Sequence, residues 1–207
     1  MFTGIITDIG TVARVESPGD TRIVVRTAYD AETVDLGASI SCSGVCLTVV
    51  DKGTDAQGGW FAVDVSGETI SRTAKDQWTE GRQFNLERAM KLGDELGGHI
   101  VTGHVDGLGT VVAVSEDGGS HRVTIRAGAD IAPFIAPKGS VTVDGVSLTV
   151  NSVRDVDGQV EFGLNIIPHT WSVTTLGTIH VEQSVNIEID VLARYLQRME
   201  HYRAAAS

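Results

Sequence analysis

Two positions in the chain offer a small side chain that can donate a hydrogen bond or act as a nucleophile. One is Cys46, in the run Gly44-Val45-Cys46-Leu47-Thr48-Val49; the other is Ser147, in Gly145-Val146-Ser147-Leu148-Thr149-Val150. Each follows a Gly-Val turn and opens a Leu-Thr-Val strand. A thiol is the stronger nucleophile, and only once deprotonated. Three readings of Cys46 stand side by side: nucleophile, polar contact, or small buried hydrophobe, the usual fate of a free cysteine. A metal role is disfavoured, because Val143 and Ser147 occupy the matching positions of Cys42 and Cys46 and no second ligand pair accompanies them. A Cys42–Cys46 disulfide does not suit the reducing cytoplasm expected for this chain.

His99 and His104 lie five residues apart, so in a strand they face opposite sides and make a poor shared metal site. Either one alone can serve as acid, base or donor near neutral pH, or be a satisfied structural histidine. Two strand ends carry further polar groups. Asp64, Val65, Ser66, Gly67, Glu68 and Thr69 end one; Asn165, Ile166, Ile167, Pro168, His169 and Thr170 end the other. A strand end with exposed backbone at a barrel rim suits a flat heterocycle rich in imide and amide groups; the plain alternative is a rim loop. Asp190 is placed both for chemistry and for capping a helix. Lys138 and Asp144 flank the second Gly-Val-Ser turn, where exposed surface charges are the default.

These positions come in pairs because the chain is duplicated. Residues 3–12 lie against 102–111 at an offset of 99, with five of ten positions identical. Residues 39–50 lie against 140–151 at an offset of 101, with six of twelve identical. Residues 61–73 against 162–174, and Phe84-Asn85-Leu86-Glu87 against Val185-Asn186-Ile187-Glu188, keep the offset of 101. The expected organisation is two homologous halves, 1–97 and 98–189, and a tail, 190–207.

Each half reads as short strands. Residues 21–27 and 121–125 alternate apolar and polar side chains, and residues 47–50 and 60–65 are rich in β-branched types. Residues 55–59 and 155–158 resemble hairpin loops in equivalent places. About six strands per half, without strong helices between them, predict a small closed antiparallel barrel, since closure removes exposed sheet edges. In the tail, Leu192, Tyr195, Leu196, Met199 and Tyr202 recur at helical spacing. That helix either packs on a barrel or meets copies of itself.

Composition agrees. With 42% hydrophobic residues, 24 Gly and only 4 Pro among 207 residues, the chain has a core and many tight turns. The formal charge of −11 argues against a nucleic-acid partner. No basic, apolar leader opens the chain and no long apolar run is present, so neither a signal peptide nor a membrane partner is expected.

The start MFTGIITDIGTV, the turn GVCLTV, FNLERAM, GGHIVTGHVDGLGTV, VDGVSLTV, NIIPHTWSVTTLG and VNIEID closely resemble riboflavin synthase of the trimeric, duplicated-barrel type. The likeness runs in order from residue 1 to about 192, departing from the family pattern at Cys42, Val45 and His169. It implies an all-β fold of two six-stranded Greek-key barrels, each lumazine-binding, with a C-terminal α-helix through which three chains associate. It implies dismutation of two ribityllumazine molecules to riboflavin and a ribitylaminouracil, without metal or organic cofactor, and lumazine synthase as a further candidate partner. The working site would join the first barrel of one subunit to the second barrel of its neighbour, a heterologous contact that can close a ring. Carried over by position, the first pocket would use Gly4, Ile5, Ile6, Cys46, Leu47, Thr48 and residues 64–69. The second would use Gly103, His104, Val105, Lys138, Ser147, Leu148, Thr149 and residues 165–170. Cys46, His104, Ser147 and Asp190 are the candidates for catalysis. The rival is a non-catalytic lumazine or flavin carrier on the same fold. Such paralogues lose motifs in the second half, whereas GHVDG, DGVSLTV and NIIPHT are retained here.

Overall fold

The computed structural model describes residues 1–16 and 21–205. Residues 17–20, within the expected first half, and 206–207, at the end of the expected tail, lie outside the described residues. The first half contains β1 (Asp8–Glu16), β2 (Thr21–Thr27), β3 (Ser39–Cys42), β4 (Val45–Asp55), β5 (Gly58–Val65) and β6 (Gln83–Arg88). They close into an antiparallel barrel in the order β1-β2-β5-β4-β3-β6, with β6 returning to β1. The second half contains β7 (Gly107–Asp117), β8 (Ser120–Ala127), β9 (Ser140–Val143), β10 (Val146–Val156), β11 (Gln159–Ile166) and β12 (Ser184–Ile189). It closes in the corresponding Greek-key order.

The strands form where side chains alternate and end where the backbone must turn. Inward residues of each barrel make a separate core, with Val25, Phe61, Phe84 and Leu86 in one and Ile125, Phe162, Val185 and Ile187 in the other. Bulges fall at equivalent places, Val12/Arg14 with Val111/Ala113 and Val49/Asp51 with Val150/Ser152. Such extra residues bend short strands enough to close a small barrel. The β3–β4 and β9–β10 turns have positive φ at both central residues, 46° and 83° at Ser43-Gly44 and 44° and 80° at Asp144-Gly145. This is the mirror-image turn that suits a right-twisted hairpin. The two turns also meet each other. A Cβ on Gly44 would lie 2.9 Å from the Gly145 nitrogen, so neither glycine tolerates a side chain.

Among the described residues the α-helices are α1 (Gly67–Arg72), α2 (Pro168–Val173) and α3 (Val191–Ala205), beside short 3-10 turns. The rim segments after β5 and β11 are therefore helical turns rather than loops. Ser66 accepts the Thr69 N–H at 3.2 Å to cap α1, and Pro168 opens α2 at the position where a missing N–H is harmless. Asp190 caps α3, accepting the Leu192 N–H at 2.9 Å. Arg194 on α3 makes two bonds, 2.7 and 2.9 Å, to the Asp106 carboxylate beside the second barrel. Among the described residues no helix is long and apolar enough to cross a membrane.

Candidate active site

The segments leading into the two barrels, residues 1–6 and 99–105, act as crossed arms. Phe2 and Val101, both buried, pair antiparallel through bonds of 2.7 and 3.0 Å. Beyond that crossing, each arm rests on the other barrel. The Gly4 carbonyl accepts the Ser147 N–H at 2.8 Å, and the Gly103 carbonyl accepts the Cys46 N–H at 2.8 Å. Ile6 packs against the second core and Val105 against the first. This corrects the expected pockets: Gly4 and Ile6 belong with Ser147, and Gly103 and Val105 with Cys46. Both arm glycines have φ of 76°. A Cβ would fall 2.5 Å from Ser147 Cβ at Gly4 and 2.7 Å from Cys46 Cβ at Gly103, so only glycine allows these contacts.

The arms are held by buried acids within the strands β6 and β12. Glu87 accepts from Thr3 N (2.7 Å), Thr3 Oγ1 (2.7 Å) and Gly4 N (2.9 Å). Glu188 accepts from Thr102 N and Oγ1, both at 2.6 Å, Gly103 N at 2.9 Å and His104 N at 3.1 Å. Burial pushes the Glu87 carboxyl above its usual range, opposed by the Thr3 hydroxyl and the backbone N–H donors.

The two nucleophile positions differ in what faces them. Ser147 stands opposite Thr142 in the β9–β10 pair, and Cys46 stands opposite Ser41 in the β3–β4 pair. His99 inserts at the first of these. Its Nδ1 lies 2.7 Å from Ser147 Oγ and its Nε2 3.2 Å from Thr142 Oγ1. Burial lowers the His99 pKa, while the Asp190 charge raises it. His104, the expected catalytic histidine, is exposed and makes its arm contact through its backbone. Spacing alone could not choose between the two histidines. The fixed crossing of Phe2 and Val101, with the His99 N–H donating to the Thr3 carbonyl at 3.2 Å, brings His99 rather than His104 to Ser147.

The remaining expected residues distribute as follows. Cys42 is fully buried in the first core, whereas Cys46 is half-buried. Leu47, Val65 and Ile166 are core residues, which leaves their backbones to a ligand, and Leu148 packs half-buried on the second core. Thr48, Thr149, Asp64, Ser66, Gly67, Glu68, Asn165, Ile167, Pro168 and His169 are exposed. Thr69 and Thr170 are half-buried. Asp64 is paired with Arg22 at 2.9 Å, which holds its carboxyl below the usual range. Lys138 is exposed, with φ of 67° and its N–H donated to the Val150 carbonyl at 2.8 Å. Trp171 on α2 stacks on His121, ring centroids 3.6 Å apart, and fixes the second rim. Ile5 is exposed and lines a cleft of about 620 Å³ together with Glu87, Tyr29 and Gly97.

The chain is similar to known proteins over nearly its whole length. The lumazine binding domain family matches residues 3–89 and again 102–190. A riboflavin synthase of Brucella abortus is 51% identical over 207 residues, covering 98% of this chain and 100% of its own. One of Mycobacterium tuberculosis is 42% identical over 200 residues, covering 96% and 98%. Among solved structures, LumP complexed with 6,7-dimethyl-8-(1'-D-ribityl) lumazine superposes with a TM-score of 0.72 at 24% identity, covering 91% of this chain and 99% of that one. LumP complexed with riboflavin gives 0.72 at 25% identity with the same coverage.

Proposed function

The chain belongs to the riboflavin synthase family, and on that premise we propose which of its groups handle the reaction. The enzyme converts two molecules of 6,7-dimethyl-8-ribityllumazine into riboflavin and 5-amino-6-ribitylaminouracil, one molecule giving a four-carbon unit to the other. The two products contain all the atoms of the two substrates, so no external oxidant or reductant is required.

The observation that carries the assignment is the Ser147–His99–Thr142 set at the second pocket. A histidine with a lowered pKa is a neutral imidazole at neutral pH, able to take a proton. When Nε2–H donates to Thr142, Nδ1 is left to accept from the Ser147 hydroxyl. The 7-methyl group of a lumazine in this pocket is acidic: as its C–H bond breaks, Ser147 Oγ takes that proton and gives its own to His99 Nδ1, leaving the lumazine as its 7-exomethylene anion and His99 as an imidazolium. The Asp190 charge steadies the imidazolium that results. Cys46, free of such a partner set, faces the second lumazine, either as a nucleophile at its C7 or as a polar contact. Stacking two molecules in fixed register replaces a bimolecular encounter and supplies a large part of the acceleration. The exposed backbone at 64–69 and 165–170 reads the pyrimidine edges.

Assembly belongs to the same proposal. On α3, Leu192, Leu196 and Met199 are 65%, 62% and 53% exposed, an apolar stripe that supports association of three copies. The working site then joins the Cys46 pocket of one subunit to the Ser147 pocket of the next. The cytoplasm as location and lumazine synthase as a partner complete the reading. The carrier alternative draws on the LumP likeness at 24–25% identity, well below the 51% shared with an enzyme.

The test is incubation of the protein with ribityllumazine alone. Riboflavin and the ribitylaminouracil are expected in equal amounts; tight binding without either product would overturn the enzymatic reading.

A further inference from the structure

Glu87 and Glu188 are 5% and 2% exposed, and burying a carboxylate is costly unless donors surround it. Both are satisfied entirely by the arm that enters their own barrel. Yet those arms end on the other barrel, where the Gly4 carbonyl holds Ser147 N–H and the Gly103 carbonyl holds Cys46 N–H. The Thr3 carbonyl, fixed by the same grip of Glu87, also accepts the His99 N–H. Arm position is decided tightly, since each glycine stands where even a Cβ would collide with the residue it touches.

From this wiring we infer that Glu87 and Glu188 are positioning residues that act across the barrel boundary. Glu87 of the first barrel sets the Ser147–His99 pocket of the second, and Glu188 of the second barrel sets the Cys46 pocket of the first. The inference rests on the assignment of Ser147 and Cys46 to the two pockets. Two consequences set it apart from a merely structural role. Each acid influences the pocket it does not adjoin in sequence, and the two acids influence different pockets. The physical route is short: loss of the carboxylate charge weakens three or four hydrogen bonds to one arm, and that arm's carbonyl then releases the backbone N–H of a single residue.

Two readouts separate the pockets without measuring turnover. Cys42 is fully buried, so alkylation by iodoacetamide followed by mass spectrometry reports on half-buried Cys46. Exchange of the Ser147 backbone N–H, followed by NMR, reports on the Ser147 side. In Glu188→Gln, Cys46 alkylation should accelerate about tenfold while the Ser147 N–H exchanges as in the unaltered protein. In Glu87→Gln, the Ser147 N–H should exchange faster while Cys46 alkylation stays unchanged. The inference is overturned if each variant disturbs the pocket of its own barrel, if both disturb both pockets alike, or if neither moves either readout. Should a glutamine variant fail to fold, Thr3→Ala and Thr102→Ala remove one hydroxyl donor from the same carboxylates. They must reproduce the crossed pattern at smaller amplitude; an uncrossed pattern overturns the inference equally. Because neither readout needs ribityllumazine, failure here is distinct from failure of the catalytic reading.

Discussion

The two barrels share a backbone and differ in their chemistry. Arm glycines with the same φ, mirror-image turns, bulges, arm-holding glutamates and core positions all recur at the repeat offset. At the nucleophile position the halves part. Ser147 faces Thr142 and His99, whereas Cys46 faces Ser41, and among the described residues no imidazole bonds to it. A second difference lies under the turns. The Asn186 N–H bonds at 2.8 Å to the buried carboxyl of Asp144, whereas in the first half the Asn85 N–H bonds at 3.1 Å to the hydroxyl of Ser43. Duplication thus kept the barrels, turns and arms and let the nucleophile positions diverge; under the proposed function, that division suits one compound playing two parts.

The sharpest way to break this contrast is to exchange its reactive groups. Ser147→Ala and His99→Gln should each slow turnover by about 100-fold or more with little effect on substrate binding, measured by steady-state kinetics and equilibrium titration. Cys46→Ser should cost less; an equal loss would erase the asymmetry. Asp190→Asn should slow turnover more than binding as well. Next in size, removing residues 192–207 should yield monomers with little residual activity by sedimentation and product assay. A fully active monomer would confine the site to one chain.

Smaller effects are expected at the seam between barrels. Asn85 donates to the Asp144 carbonyl at 2.9 Å and Asn186 to the Ser43 carbonyl at 3.0 Å, a reciprocal bridge. Asn186 also bonds Gln77. Replacing either asparagine by alanine leaves buried backbone groups unpaired and should cost about 1–3 kcal/mol in denaturant unfolding, with Asn186 the dearer. The same seam also carries a pH dependence. Burial raises the Asp144 pKa from 3.8 to about 7, against the opposing Asn186 N–H and the Arg82 charge. Its folded form therefore holds a proton that the unfolded chain releases. The corresponding stability is present below pH 3.8 and is lost as pH rises through about 7. Asp144→Asn should flatten that slope in thermal melts, and Ser43→Ala should leave it unchanged.

Much of this was legible in the sequence. Alternation in residues 21–27 marks β2, and Asp157-Gly158, with φ of 50° and 77°, is a turn dipeptide whose chemistry demands those angles. Helices α1 and α2 are not legible although Ser66 and Pro168 are ordinary start signals, because one turn has no periodicity to detect. The crossing of the arms was not legible for a stricter reason. Repeat offsets relate Gly4 to Gly103 and Cys46 to Ser147, and they are satisfied equally whether each arm serves its own barrel or the other. Only the spatial arrangement breaks that tie. For the holding acids a signal did exist: a glutamate at the same place in two strands that are otherwise buried, Phe84-Asn85-Leu86-Glu87 and Val185-Asn186-Ile187-Glu188, reads as a paired interior charge.

The reciprocal contacts of the arms and asparagines have the pattern of an isologous interface, in which patch i meets patch j and j meets i. Two separate copies of a single barrel would bury that same surface against one another, each lending its leading peptide to its mate. Joining them in one polypeptide preserves the handshake while removing the requirement that both partners be identical. A symmetric pair can carry only two copies of one reactive centre; a tethered pair can mutate them independently. In this chain that liberty is visible in a single seat, where a serine with an imidazole behind it stands across from a cysteine without one.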